Sequence, residues 1–199
     1  MKGSHYFSAQ PEARSRPATA TLRLPDIEVE LLTDSGVFSH GAVDRGSELL
    51  LRSVAPPPSG EILDLGCGFG VIALVSALRA PQAHVWAIDV NERALELTAA
   101  NAARLGATNL TAAHPDDVPG DVRFDAILSN PPVRIGKHAL HSLLSRWLAR
   151  LLAGCTAHLV VQRHLGSDSL AAWLQEHGYN VERVRSRGGY RVLRVHVLP

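Results

Sequence analysis

The apolar positions change period along the chain. Ala20–Leu24 and Ile27–Leu32 alternate apolar with polar, the period of half-buried strands, and predict a short hairpin turning at Pro25-Asp26. Ala42–Val54 shifts to helical spacing, with Val43, Leu49, Leu50 and Val54 on one face. Pro56-Pro57-Pro58-Ser59-Gly60 stops it, because consecutive prolines neither continue a helix nor donate to a ladder. This run divides the chain into an N-terminal extension, 1–58, and a core, 59–199.

Past the prolines, strand and helix patterns alternate. Glu61–Leu65 reads as a strand, Val71–Leu78 as part of a helix, and His84–Ile88 as the next strand. Glu92–Leu105 reads as a helix that Asn91 can cap and Gly106 can close. Ala126–Leu128, within the run Phe124–Ser129, predicts a short buried strand. His138–Leu152 carries Leu140, Leu143, Leu144, Trp147, Leu148 and Leu151 at helical spacing. His158–Val161 is another strand, and Ser169–His177 a helix ended by Gly178. Tyr179–Val184 and Tyr190–Val197 predict an antiparallel pair around Gly188-Gly189. Strands alternating with helices imply parallel pairing through right-handed crossovers. The expected fold is therefore α/β, a doubly wound, mostly parallel sheet closed by an antiparallel hairpin.

Composition narrows the class. The chain has 199 residues, 46% hydrophobic and 20% charged, enough apolar material for one sizeable core. No stretch approaches the roughly 20 apolar residues of a membrane span, and Met1–Pro17 has no apolar run of a secretory signal. Cys67 and Cys155 have no CxxC partner, which suits a reducing cytoplasm. His138 and His141 are the one metal-like pair, and a helix surface accounts for them, so no metal is expected. Net charge is only +1, yet the ends are basic: Arg183, Arg185, Arg187, Arg191 and Arg194 against Glu182, with Lys2, Arg14, Arg16 and Arg23 at the other end. Such ends favour a polyanion such as RNA; equally, arginines solvate the outer face of an edge strand.

The chemistry is written in three places. Asp64-Leu65-Gly66-Cys67-Gly68-Phe69-Gly70 follows an apolar strand and opens a helix, where glycines let the loop turn sharply and lie against a ligand. Position 71 is Val71, so the spacing departs from the dinucleotide fingerprint that seats a pyrophosphate. S-Adenosylmethionine has no phosphate and fits the departure. Asp89 ends the second strand, where a carboxylate can accept both ribose hydroxyls. Asp64 is placed to hold the loop or the ligand's ammonium, and Asp116, after the third strand, to meet the adenine amine or only to turn the chain with Pro115.

Asn130-Pro131-Pro132 follows Phe124–Ser129 and so falls at the carboxyl end of the sheet, where open α/β folds bind ligands. An amine conjugated to a ring or carbonyl is a poor nucleophile because its lone pair is delocalised. The Asn130 side-chain oxygen and the Pro131 carbonyl can accept its two N–H bonds and turn that lone pair toward a methyl donor. Pro131 and Pro132 stiffen the loop, so the gain lies in orientation and preorganisation. The combination points to S-adenosylmethionine-dependent methylation of a nitrogen. Gly136-Lys137 is not a phosphate-binding loop, because Pro131 stands where that motif requires glycine.

These residues resemble a class I methyltransferase of the "MTS" small-domain group, which includes the ribosomal small-subunit RNA guanine-N2 methyltransferases. The resemblance runs through Thr33–Ser39, Asp44-Arg45-Gly46-Ser47, Asp64–Gly70, Asp89-Val90-Asn91, Asn130–Lys137 and Gly188–Leu193. It implies a seven-stranded Rossmann-like methyltransferase sheet, cofactor contacts at Gly66, Gly68, Gly70, Asp64, Asp89 and Asp116, and amine binding at Asn130. It also implies that Gly36-Val37-Phe38-Ser39 folds over the active site. In larger relatives two such domains are fused; here there is one, and a homodimer would reproduce the pairing. Val133 stands where many relatives stack Phe or Tyr on the target base, a role left to Phe38 or Tyr6. Arg134 and Lys137 either hold a phosphate flanking the target or form an ordinary helix-start pair.

The leading expectation is an RNA methyltransferase acting on the exocyclic amine of guanine in ribosomal RNA, with the target base flipped out of its stack. Asn-Pro-Pro serves equally for a protein glutamine amide or DNA adenine. A non-catalytic RNA-binding module conflicts with the intact loop and Asn130, and an NAD dehydrogenase conflicts with Val71.

Overall fold

The structure is a computed structural model and describes residues 13–197 of the chain. Strands β1 (Ala18–Arg23) and β2 (Glu28–Thr33) form a separate antiparallel hairpin, closed at its turn by the Leu24 N–H on the Ile27 carbonyl at 2.8 Å. Helix α1 (Arg45–Ser53) begins three residues later than its apolar spacing suggested. Asp44 decides the start: its side chain accepts from the amides of Gly46 and Ser47, satisfying two donors that the first turn leaves open.

The remaining strands, β3 (Ser59–Leu65), β4 (Gln82–Ile88), β5 (Leu110–Ala113), β6 (Phe124–Ser129), β7 (Leu151–Gln162), β8 (Tyr179–Arg187) and β9 (Tyr190–Val197), make one seven-stranded sheet ordered β5-β4-β3-β6-β7-β9-β8. The first five pair in parallel, and β9 joins β7 and β8 antiparallel. Helices α2 (Val71–Arg79) and α3 (Glu92–Leu105) cross over on the way out to β5, and the chain then returns to the middle to lay β6 beside β3. That reversal opens a crevice at the carboxyl ends of β3 and β6, the usual ligand position of a doubly wound sheet. Helices α4 (Lys137–Leu148) and α5 (Ser167–Glu176) complete the set.

Two apolar clusters lie on the two faces of the sheet. One holds Leu22 and Leu31 of the hairpin, Leu49–Leu51 of α1, α2, and Val160 and Val192 of the sheet. The other holds Leu140, Leu144, Trp147 and Leu148 of α4 with Leu170 and Leu174 of α5. Asn101 pins the hairpin to the core: its side chain accepts from the Leu32 amide at 2.7 Å and donates to the Leu32 carbonyl at 2.9 Å and the Phe69 carbonyl at 3.1 Å. Asn101 is fully buried, where unpaired amide groups would be costly.

The helix expected over 138–152 ends at Leu148, and Leu151 already belongs to β7, paired with Phe124. Leu148 and Leu151 are three apart, so the helical apolar spacing runs on into a strand. Asn91 caps α3 by accepting from Ala94 at 3.3 Å, and Gly106 closes it in the left-handed region at φ 66°. No helix among the described residues is long and apolar enough to cross a membrane.

Candidate active site

A cleft of about 380 Å³ opens over the carboxyl ends of β3, β4 and β6, a size suited to a nucleoside-like ligand. One wall comes from the glycine loop. Gly66 and Cys67 donate their amides to the Ile88 carbonyl, both at 2.9 Å, which draws the loop onto the end of β4. Gly66 at φ 79° and Gly68 at φ 57° are left-handed, and both line the cleft. Gly70, φ 92°, lies behind it: a Cβ there would stand 2.9 Å from Thr98 and 3.0 Å from Leu74, so this glycine serves the packing of α2 on α3.

Asp89 lines the same wall. One oxygen accepts from the Gly68 amide and the other from the Asn91 amide, each at 3.0 Å, so each keeps a further acceptor position for a ligand. Burial pushes its carboxyl above the usual range, against the backbone amides of Asn91, Gly68 and Val90, which oppose the shift. Asp64 is more deeply set and does not line the cleft. Its Oδ2 accepts from the Ala73 amide at 2.9 Å, tying the first turn of α2 to β3, while buried Oδ1 has no partner. Burial, with Asp89 adding to it, raises this carboxyl to about 8, so Asp64 is largely protonated at neutral pH. The loop-holding reading of Asp64 matches this geometry.

Asp116 is not brought in. Its side chain is 70% exposed and pairs with Arg146 at 2.8 Å on the outer surface, while its neighbour Pro115 lines the cleft. The turn at Pro115 directs the carboxylate toward α4, away from the ligand space.

Asn130, Pro131 and Pro132 form the opposite wall. Asn130 Nδ2 donates to Asp44 Oδ2 at 2.8 Å and to Ser47 Oγ at 3.1 Å. Both acceptors fix the flip of the amide, which leaves Oδ1 as the open acceptor of a cleft-lining side chain. Pro132 sits at φ −74°, ψ 67°, and the Pro131 carbonyl accepts from the Val133 amide at 2.8 Å. These are the marks of an inverse γ-turn, the tightest hydrogen-bonded turn. The Pro131 carbonyl keeps its second lone pair for another donor.

The relay continues behind Asn130. Asp44 Oδ1 accepts from the Tyr190 hydroxyl at 3.2 Å, and Gln162 Nε2 donates to that hydroxyl at 2.6 Å. Gly46 makes room for the Tyr190 ring, since a Cβ there would lie 2.7 Å from it. Burial, with the Asp44 carboxylate adding to it, raises the Tyr190 phenol. Asp44, Ser47, Gln162 and Tyr190 were not singled out as site residues from the sequence, although Asp44–Ser47 and Gly188–Leu193 lie in the stretches that carry the resemblance. The signal needed was the β7-β9 pairing, because Asp44 and Tyr190 are 146 positions apart.

Val37, Phe38 and Ser39 complete the lining from above. Asn91 Nδ2 holds the Gly36 carbonyl at 2.8 Å, which fastens this segment to the start of α3. Phe38, Val90 and Leu165 are each more than a third exposed and all line the cleft. Large apolar surface left in one concavity marks a ligand site. Val133 lines it too, with exposed Arg134 at its edge; Lys137 is exposed at the start of α4 and lies outside the lining. Tyr6 lies outside the described residues. Among the described residues no group of three or more His, Cys, Asp or Glu side chains could hold a metal ion.

Comparisons with known proteins identify the family. The family model described as "Methyltransferase small domain" covers residues 28–194. The chain belongs to this family. It is 37% identical over 194 residues to the protein YbxB of Bacillus subtilis (strain 168), covering 96% of each chain. It is 35% identical over 173 residues to ribosomal RNA small subunit methyltransferase C of Pseudomonas aeruginosa (strain UCBPP-PA14), covering 79% of this chain and 52% of that one. The chain therefore spans about half the length of that relative. Among solved structures, the fold matches the T. thermophilus 16S rRNA N2 G1207 methyltransferase (RsmC) in complex with AdoMet and guanosine, with a TM-score of 0.77, 24% identity, and coverage of 92% of this chain and 51% of that one. The seven-stranded methyltransferase sheet expected from the sequence is the one observed.

Proposed function

We propose that this protein transfers a methyl group from S-adenosylmethionine to the exocyclic amine of guanine in ribosomal RNA. The observation that carries this reading is Asn130: its NH₂ is consumed by Asp44 and Ser47, so only its oxygen is offered to the cleft. An acceptor oxygen beside a rigid prolyl carbonyl suits an NH₂ group and repels a carbonyl or a carboxylate. S-Adenosylmethionine, when bound, supplies an electrophilic methyl on a sulfonium.

The residues fit that donor. Gly66 and Gly68 leave backbone free of side chains along one wall, and Asp89 offers acceptor positions suited to a pair of ribose hydroxyls. Asn130 and Pro131 take the two N–H bonds of the amine, so its lone pair is freed from the ring and directed across the cleft. Phe38 offers the flat apolar surface on which a flipped base stacks, in place of the aromatic residue that Val133 is not. Residues 59–199 form the donor-binding core, and the 1–58 extension supplies Phe38, Asp44 and Ser47 to it. Relatives named for ribosomal RNA methylation support RNA as the acceptor and the cytoplasm as the place of work.

The test is transfer of labelled methyl from S-adenosylmethionine into fractionated RNA, DNA and protein, with mass spectrometry of the digested products. N2-methylguanosine in small-subunit ribosomal RNA is the expected product. Label confined to protein glutamine or DNA adenine would move the reaction to those acceptors, and no label in any fraction would overturn the enzymatic reading.

A further inference from the structure

The five arginines of the C-terminal hairpin do not form one set. From Tyr179↔Val197 to Arg183↔Leu193 the β8-β9 register is regular, and then Val184 is inserted without a partner, so Arg185 pairs with Val192 and Arg187 with Tyr190. A bulge of this kind changes which face the following side chains take. Residues paired directly across antiparallel strands share a face, so Arg183 lies with Leu193 on one side and Arg185 and Arg187 with Val192 and Tyr190 on the other. The apolar clusters agree. Val184, Val192 and Tyr190 pack with Leu49–Leu51 of α1, whereas Val181 and Val195 pack with Leu170 and Leu174 of α5.

Charge divides along the same line. On the α5 face, Arg183 at 3.2 Å and Arg191 both bond Asp168. On the α1 face, Arg194 is neutralised by Glu182 at 3.1 Å and Arg52 pairs with Glu48 at 2.9 Å. Arg185, Arg187 and Arg45, the first residue of α1, are exposed and form no ion pair or hydrogen bond among the described residues. Arg45 directly precedes Gly46, where a Cβ would stand 2.7 Å from the Tyr190 ring, so the start of α1 lies against Tyr190. Arg185 and Arg187 thus lie on the α1 face, Arg187 directly opposite Tyr190, which lines the cleft, and Arg45 opens the helix packed on that face.

We propose that this face is a track for the ribose-phosphate backbone of the RNA strand that delivers the target base, held by Arg45, Arg185 and Arg187, and that the Val184 bulge exists to aim two of the three at it. The inference rests on the RNA methylation reading. Two residues apart on one strand face, Arg185 and Arg187 stand about 6.6 Å apart along β8, close to the spacing of consecutive phosphates. Guanidinium forks suit phosphate oxygens in bidentate geometry.

The experiment measures binding of small-subunit ribosomal RNA over a salt series, alongside methyl transfer. The double variant Arg185→Ala with Arg187→Ala should weaken RNA binding about tenfold or more and lower the log–log salt slope by about 1.5, the loss of two phosphate contacts, with S-adenosylmethionine affinity unchanged. Arg183→Ala, the same kind of charge change on the α5 face, should leave the slope as it is. Moving one charge across the strand at constant net charge, Arg185→Ala with Ser186→Arg, puts it opposite Arg191 on the α5 face and should lower the slope by about 0.7, the loss of one phosphate contact. If that exchange fails to fold, judged by circular dichroism, the other two substitution arms still decide. Equal loss from Arg183→Ala, or an unchanged slope in the double variant, would overturn the track. A wild-type protein that methylates no RNA would overturn the functional reading instead, and the binding arm keeps the two failures apart.

Discussion

The wall that carries Asp89 and the wall that carries Asn130 differ in how far along the chain their parts are drawn from, and in what holds them. Around Asp89 the parts are local, the loop 66–70 and the turn 88–91, joined mostly by backbone amides on a carboxylate or a carbonyl. Around Asn130 the parts come from positions 44, 47, 162 and 190, joined side chain to side chain. A backbone-held wall survives most changes to neighbouring side chains. A relay of side chains can be weakened at every link, and its failures should grade with distance from the reacting amine.

The largest effect should come from exchanging the roles of the two walls. Asn130→Ala removes the acceptor proposed to hold the amine and should lower kcat by about 10²–10³, leaving S-adenosylmethionine affinity within about twofold. Asp89→Ala should do the reverse, weakening the cofactor about 10- to 100-fold, as expected for loss of hydrogen bonds to a charged group. Steady-state kinetics with a separate calorimetric Kd checks both. Interchanged phenotypes would reverse the assignment of the walls.

Behind Asn130, Asp44→Ala should lower kcat about tenfold while the lost cap costs about 1 kcal/mol and Tm falls by about 2–4 °C. Asp44→Asn keeps one acceptor oxygen for the cap and should recover the stability and most of the rate. Tyr190→Phe, one link further, should cost about two- to threefold in kcat. If Tyr190→Phe cost more than Asp44→Ala, the order of the relay would be wrong.

Asp64 separates the walls by pH. Its folded carboxyl is raised to about 8, while an unfolded aspartate titrates at about 3.9. Between those values the folded state holds a proton that the unfolded state has released, so this group's contribution to stability falls as pH rises from about 4 to about 8. Asp64→Asn should flatten that part of the Tm-against-pH curve by a few degrees, read by calorimetry at pH 5 and 8. A parallel curve would show that the residue ionises without cost. The smallest effect belongs to Asp116→Ala: an exposed side chain paired on the surface should change stability by less than about 0.5 kcal/mol and leave cofactor affinity unaltered. A tenfold loss in Kd would return Asp116 to the site.

What could be read from the chain follows the same division. Asp64–Gly70 and Asp89 were legible because the loop, its strand and its acidic partner are close in sequence and keep a fixed spacing. Gly70 carries the right letter for a different reason, since Thr98 needs the space. Asn130-Pro131-Pro132 was legible because its letters impose their own geometry. Asp44 and Tyr190 meet only once β9 lies antiparallel to β7, and no local pattern announces that pairing. The end of α4 was hidden because Leu151 satisfies a helix and a strand equally well. The insertion at Val184 was hidden because three alternating arginines look alike until the register is known.

Asn91 serves two masters: its oxygen caps α3 and its nitrogen grips the Gly36 carbonyl beside Phe38. Fraying of that first turn therefore loosens the canopy, and whatever presses the canopy down also stiffens the helix. Two motions that would be assigned to separate parts of the molecule share a single equilibrium, with one amide as the hinge pin.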